Sequence, residues 1–154
     1  MDEIEPENFQ FANEIVSKTL RTRRGSRRDK NLESTKPTIL VVDDQRMIAD
    51  TTAEVLNQSG FRASRTYSGH SALEMARKLK PDYLLTDVLM PGMNGVELAI
   101  EVASELPTTK IVLFSGQAGI TDILHRARDK GYVFELLSKP IHPERLVEHL
   151  WRKR

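Results

Sequence analysis

Five residues have side chains and positions that could do chemistry together: Asp43, Asp44, Asp87, Ser115 and Lys139. Each follows directly on a short apolar run or stands in the loop just beyond one. ILVV (39–42) leads into Asp43-Asp44, YLLT (83–86) into Asp87, KIVLF (110–114) into Ser115, and VFELL (133–137) into Ser138-Lys139-Pro140. Three carboxylates brought to one point repel one another and raise one another's pKa. A hard divalent cation relieves that repulsion, and Mg²⁺ is commonly held by one or two carboxylates together with waters and a phosphate. A lysine supplies a compact positive charge suited to a phosphoryl oxygen, and a serine hydroxyl can donate a hydrogen bond to the same group. Together these parts describe acceptance of a phosphoryl group by a carboxylate nucleophile, with Mg²⁺ and the lysine stabilising the charge on the transferring oxygens.

For these residues to meet, the runs that carry them must lie side by side with their ends on one edge. Ile39–Val42 is a continuous apolar, β-rich run, as expected for a strand covered on both faces. Residues 46–58 put Ile48, Thr51 or Thr52, Val55 and Leu56 on one helical face, and Gly60 closes that helix. Phe61–Tyr67 is a weaker strand. Ser68 can cap a helix carrying Ala72, Leu73, Ala76 and Leu79, which Pro81 ends. Tyr83–Thr86 is the next strand, and Met90–Asn94 form a Pro/Gly loop ahead of a helix with Val96, Leu98, Ala99, Val102 and Ala103. Lys110–Phe114 is a fourth strand, Ile120, Ile123, Leu124 and Ala127 mark a helix closed by Gly131, and Val133–Leu137 make a fifth strand. The last helix starts near Pro143 and holds Leu146, Val147, Leu150 and Trp151. Five such units predict an α/β fold: a doubly wound, five-stranded parallel sheet with helices on both faces, of the flavodoxin-like (βα)5 kind. Ligands of such sheets bind outside the carboxyl ends of the strands, which is where the five residues stand.

Composition bounds the rest. The 154 residues carry 23 Lys plus Arg against 22 Asp plus Glu, a formal net charge of +1, and no cysteine. That length suits one domain and a tail. Lack of cysteine excludes a disulfide framework, a Cys-based zinc site, an Fe–S cluster and a thiol nucleophile. His70, His125, His142 and His149 are scattered without metal-ligand spacing, and no G-K-[S/T] follows a glycine-rich turn, so there is no P-loop. The near-neutral balance argues against a wholesale nucleic-acid or membrane binder.

Residues 18–30, KTLRTRRGSRRDK, are a local exception. Without interleaved aromatics they read as a solvated linker, and nucleic acid is not an expected partner, although a salt-dependent contact with phosphates would draw on this stretch. Residues 1–36 are therefore an N-terminal extension: a short helix over 8–20, with Phe9, Ala12, Val16 and Leu20 at helical spacing, then a basic flexible linker over 20–36. A helix that short is marginal without a partner surface. Residues 37–154 form the domain. The first 20 residues contain no apolar h-region and no run approaches the roughly 18 residues that cross a bilayer, so a cytoplasmic location without a membrane span is expected.

The segments ILVVDD (39–44), KPDYLLTDVLMPGMNGVELA (80–99), KIVLFSG (110–116) and LSKPI (137–141) resemble the receiver domain of two-component response regulators, of the stand-alone, single-domain type, from about Pro37 to Arg152. The resemblance implies that Asp87 is the phosphoacceptor and that Mg²⁺ is held by Asp43, Asp44, Asp87 and the backbone carbonyl of Leu89. Of the acidic pair, Asp44 is the expected direct ligand. Ser115 matches the family's hydroxyl position, and Lys139 its invariant lysine, which the family follows with a cis bond to proline, here Pro140. The implied donor is a sensor histidine kinase or a histidine phosphotransfer protein, and the output is contact with a downstream protein. The only catalysis implied is the domain's own Mg²⁺-dependent phosphorylation and dephosphorylation. With the chain ending at Arg154, no C-terminal effector domain is expected.

Two features depart from the family pattern. The aromatic that commonly stands three residues before the lysine is Leu136 here, and Phe134 and Tyr132 are out of register with it. The switch set is therefore Ser115 and Leu136, with Phe134 as a substitute aromatic, and the Ile120–Lys130 helix and fifth strand should change most on phosphorylation. Positions that tune dephosphorylation in the family are Leu89 and Gln117. Leu89 cannot orient an attacking water, which implies a moderately long-lived aspartyl phosphate. One alternative is a degenerate receiver-fold interaction module that works without phosphorylation; retention of all three aspartates and Lys139 weighs against it. The other is a metal-dependent phosphatase with an aspartyl nucleophile, whose D-x-D signature and cap insertion the chain lacks.

Overall fold

A computed structural model of the chain describes residues 35–116 and 119–152. The helix expected over 8–20, nearly all of the basic linker, and Gln117 lie outside the described residues. Five strand–helix units follow in order: β1 (Thr38–Val42), α1 (Arg46–Gln58), β2 (Arg62–Thr66), α2 (Gly69–Leu79), β3 (Tyr83–Asp87), α3 (Gly95–Glu105), β4 (Lys110–Ser115), α4 (Thr121–Asp129), β5 (Glu135–Ser138) and α5 (Pro143–Arg152). Every ladder is parallel and the strand order is β2-β1-β3-β4-β5. The chain thus winds outward from β1 in both directions. The β1–β3 junction is the topological switch point at which such sheets open a crevice. Val42 pairs with Thr86 there, so the next residues, Asp43 and Asp87, leave the sheet side by side.

The apolar runs are buried on both faces, as continuous rather than alternating hydrophobicity requires. Ile39, Val41, Tyr83, Leu85 and Val112 face α1 and α5 and pack with Ala53, Leu56, Leu146 and Leu150. Leu40, Val42 and Leu84 point the other way, against Ala72 and Ala76 of α2 and Leu98 and Val102 of α3. Val88, Val96, Ala99, Leu113, Ile120 and Ala127 join α3 and α4 to the same face. Trp151 packs the last helix as expected: its ring lies 4.9 Å from that of Phe61 and its Nε1 donates to the Ser59 carbonyl.

Caps mark the helix starts. Ser68 accepts from the Ser71 N–H, as the sequence suggests. Asn94, read only as part of a loop, caps α3 by accepting from the Glu97 N–H while its Nδ2 donates to Glu97 Oε1, a reciprocal arrangement that satisfies two groups at once. Most strand boundaries shift by a single residue, as β2 does to Arg62–Thr66, and the fifth shifts further. The fifth strand spans Glu135–Ser138 rather than Val133–Leu137; its ladder with β4 begins two residues into that strand, with Val112 opposite Glu135. Ahead of it, the Tyr132 and Phe134 rings stack at 5.9 Å and pack on the α3–α4 cluster, which turns the intervening Val133 outward to 75% exposure.

Candidate functional site

The carboxyl edge of the sheet gathers the five residues singled out by their spacing. Asp43, one residue past β1, is buried; its Oδ1 accepts from the Gln45 N–H at 2.9 Å and its Oδ2 from Lys139 Nζ at 2.9 Å. Asp44 beside it is exposed. Asp87 closes β3, its Oδ1 accepting from the Val88 N–H at 2.9 Å and facing Lys139 Nζ at 3.7 Å. One oxygen from each of Asp43, Asp44 and Asp87 lies within 4.8 Å of the others. Ser115 is buried at the end of β4, and its carbonyl accepts from the Lys139 N–H at 2.9 Å. The Lys139–Pro140 bond is cis, as the resemblance implies. Residues separated by up to 96 positions in sequence thus share one site.

Of the switch set, Leu136 is 37% exposed on β5, while Phe134 is half-buried in the cluster that contains Val88 and Leu113. Leu89 is half-buried and packs on that cluster too.

Gly95 stands in the sequence as a turn glycine and Phe114 as an apolar strand residue, but the contacts that each makes at this edge are not legible there. Gly95, the first residue of α3, donates its N–H to the Val88 carbonyl at 2.8 Å, and a Cβ there would stand 1.8 Å from the Asp87 carbonyl oxygen. The helix and the acceptor strand touch through bare backbone. Phe114 precedes Ser115 and lies under the Lys139 ammonium, 4.9 Å from ring centroid to Nζ. The glycine five residues after Met90 and the aromatic next to Ser115 are the only sequence signals of either contact.

Electrostatics follow from this crowding. Burial pushes the Asp87 carboxyl up to about 6, and the carboxylates of Asp43 and Asp44 push the same way; the Lys139 ammonium and the Val88 N–H pull against them. Asp87 therefore holds its proton to a pH of about 6 in the folded chain and to the ordinary 3.8 when unfolded. The stability it contributes is full below the lower value and lost as pH rises through the upper one. In metal-free protein, Asp87→Asn is expected to stabilise the fold by about 1–3 kcal/mol at pH 7, with the gain gone below about pH 4. Urea titrations of both proteins at the two pH values check this, and a gain independent of pH would contradict it.

That surplus of negative charge, which one lysine does not cancel, fits a divalent cation. The donors are oxygens alone, with no imidazole or thiolate in the cluster, which suits a hard ion. Both Asp43 oxygens already hold hydrogen bonds, so Asp44 and Asp87 are the better placed to ligate directly.

The family model described as the response regulator receiver domain matches residues 39–151. A response regulator receiver protein of Anaeromyxobacter sp. is 35% identical over 109 residues, covering 71% of this chain and 45% of that protein. The chemotaxis protein CheY of Thermotoga maritima is 30% identical over 115 residues, covering 73% of this chain and 92% of that one. Among solved structures, the chemotaxis protein CheY4 of Vibrio cholerae superposes with a TM-score of 0.66 at 28% identity, over 77% of this chain and 98% of that one. The chain spans less than half the length of the Anaeromyxobacter relative and nearly all of the Thermotoga one.

Proposed function

The chain belongs to the response regulator receiver domain family, and on that premise we propose that Asp87 is its phosphoacceptor and that residues 37–154 form the receiver, with 1–36 as an extension. The observation that carries this reading is the cluster of three carboxylates within 4.8 Å with the Lys139 ammonium beside two of them. A carboxylate oxygen of Asp87 attacks the phosphorus of a phosphohistidine, the P–N bond to the donor imidazole breaks, and an acyl phosphate forms on Asp87. Mg²⁺, held by Asp44, Asp87, Asp43 and the Leu89 carbonyl, would neutralise charge on the transferring oxygens.

Lys139 starts bound to Asp43 Oδ2 and 3.7 Å from Asp87 Oδ1, close enough to follow the charge onto a phosphoryl oxygen. Ser115 supplies the hydroxyl hydrogen bond from the adjoining strand. The donor is a sensor histidine kinase or a histidine phosphotransfer protein. We assign the output to protein contacts on α4 and β5, through Ser115, Leu136 and Phe134. The Leu89 side chain, packed on apolar neighbours, does not orient water, which favours a moderately long-lived acyl phosphate; Gln117 is the second tuning position. Among the described residues no helix is long and apolar enough to cross a membrane, and a cytoplasmic setting agrees with a phosphohistidine donor.

Intact mass after incubation with phosphoramidate tests the reading. One phosphoryl group per chain is expected with Mg²⁺ and none with a chelator. No adduct in either condition would instead favour an interaction module that keeps the fold without the chemistry.

A further inference from the structure

We propose that Phe114 is a positioning residue for phosphoryl transfer, acting through Lys139; the inference rests on the roles given above to Asp87 and Lys139. A lysine head at the end of four methylenes is not located by its backbone, and free rotation would take it away from the site. Here three contacts locate it. The Lys139 N–H is held by the Ser115 carbonyl at 2.9 Å. The stem lies along Gly116, where an added Cβ would meet Lys139 Cβ at 3.1 Å and Cδ at 3.6 Å. The ammonium sits over the Phe114 ring at 4.9 Å, with Asp43 Oδ2 at 2.9 Å and Asp87 Oδ1 at 3.7 Å. The residues on either side of Ser115 thus form a cradle for the lysine.

The ring is itself fixed. Phe114 is half-buried against the β1–β3–β4 cluster under α1 and α5, and it pairs directly with Asp87 in the β3–β4 ladder. The ring and the nucleophile therefore ride at the same level of adjacent strands. An aromatic face also holds a cation in a way that matters for transfer. It attracts the ammonium electrostatically yet accepts none of its three N–H groups as a conventional lone-pair acceptor would. Those donors remain available to Asp43 and to an incoming phosphoryl oxygen. A short polar side chain at 114, such as a serine hydroxyl or a glutamine amide, would compete for them, and leucine would hold nothing.

Three variants test this: Phe114→Leu, which keeps an apolar side chain, and Phe114→Trp and Phe114→Tyr, which keep the aromatic face. The Lys139 ε-methylene NMR signals, assigned by their loss in Lys139→Arg, are expected upfield of the other lysines in the native protein and in at least one folded aromatic variant. In Phe114→Leu they should return to the ordinary lysine position. Adduct formation from phosphoramidate with Mg²⁺ should slow about tenfold in Phe114→Leu and stay near the native rate in the folded aromatic variant. In a Lys139→Met background, Phe114→Leu should cost nothing further, since the ring then has no ammonium to hold. Unshifted ε-methylene signals in the native protein, or an equal slowing by Phe114→Leu with and without Lys139, would overturn the proposal while leaving Asp87 as acceptor. A native protein that takes no phosphoryl group on Asp87 would overturn this inference and the function it rests on together.

Discussion

Replacing Gly95 by alanine is expected to destabilise the fold by about 3 kcal/mol or more, and to impair phosphorylation with it. The added methyl would stand 1.8 Å from the Asp87 carbonyl oxygen, 2.8 Å from its carbonyl carbon and 3.0 Å from Val88 Cα. All three are backbone atoms of the acceptor strand and its exit, so no side-chain rotation relieves the overlap. Relief requires α3 to move off β3, which breaks the Gly95 N–H to Val88 carbonyl bond. It also opens the packing of Leu98 and Ala99, both completely buried. Gly92 is the control. It has φ +74° and nothing within 4 Å of an added Cβ, so Gly92→Ala carries only the left-handed backbone penalty of about 1–2 kcal/mol. Urea unfolding of the two variants at matched pH reads the difference. A Gly95→Ala protein within about 1 kcal/mol of native would show that the helix and acceptor strand are not in bare backbone contact.

Lys139→Met should slow phosphorylation of Asp87 by roughly a hundredfold to a thousandfold, the range seen when one preorganised donor to a developing charge is removed. Among the described residues, Lys139 is the positive side chain within 4 Å of both Asp43 and Asp87, so methionine removes the charge and keeps most of the volume. A second effect separates this variant from a merely unstable one. The Lys139 ammonium holds the Asp87 carboxyl down against burial and two neighbouring carboxylates. In metal-free protein its loss should raise the Asp87 pKa further. Rates with phosphoramidate at saturating Mg²⁺ give the first readout, and the Asp87 carboxyl carbon-13 shift titrated by NMR in metal-free protein gives the second. A rate within about threefold of native would remove Lys139 from the chemistry, and an unmoved Asp87 titration would contradict its hold on that carboxyl.

The site could be read from the sequence because apolar runs end abruptly. Where ILVV meets Asp43-Asp44 and YLLT meets Asp87, a buried strand stops and a polar group begins, and a parallel sheet brings all such ends to one edge. Contacts that depend on how elements lean on each other could not be read in that way. Gly95 is visible as a turn glycine, but nothing local says that Asp87's own carbonyl occupies the place of its missing side chain. Phe114 fits the apolar strand pattern, and its contact with Lys139 spans 25 positions that periodicity does not link. VFELL has strand composition throughout, so the sequence places the fifth strand two residues too early. The ladder starts only at Glu135, because the residues before it go to the Tyr132–Phe134 stack instead. Leu136 and Phe134 show the same limit. Their order in sequence says which is in register with the family's aromatic, but packing decides that Phe134 is the half-buried one and Leu136 the more exposed.

The most direct test locates the phosphoryl group. The protein is incubated with phosphoramidate and Mg²⁺, reduced with borohydride so that an aspartyl phosphate becomes homoserine, then digested and sequenced by mass spectrometry. Homoserine is expected at position 87 alone, and none anywhere in Asp87→Asn. Homoserine at position 43 or 44, a stable phosphate on a serine or threonine, or an undiminished adduct in Asp87→Asn would contradict it.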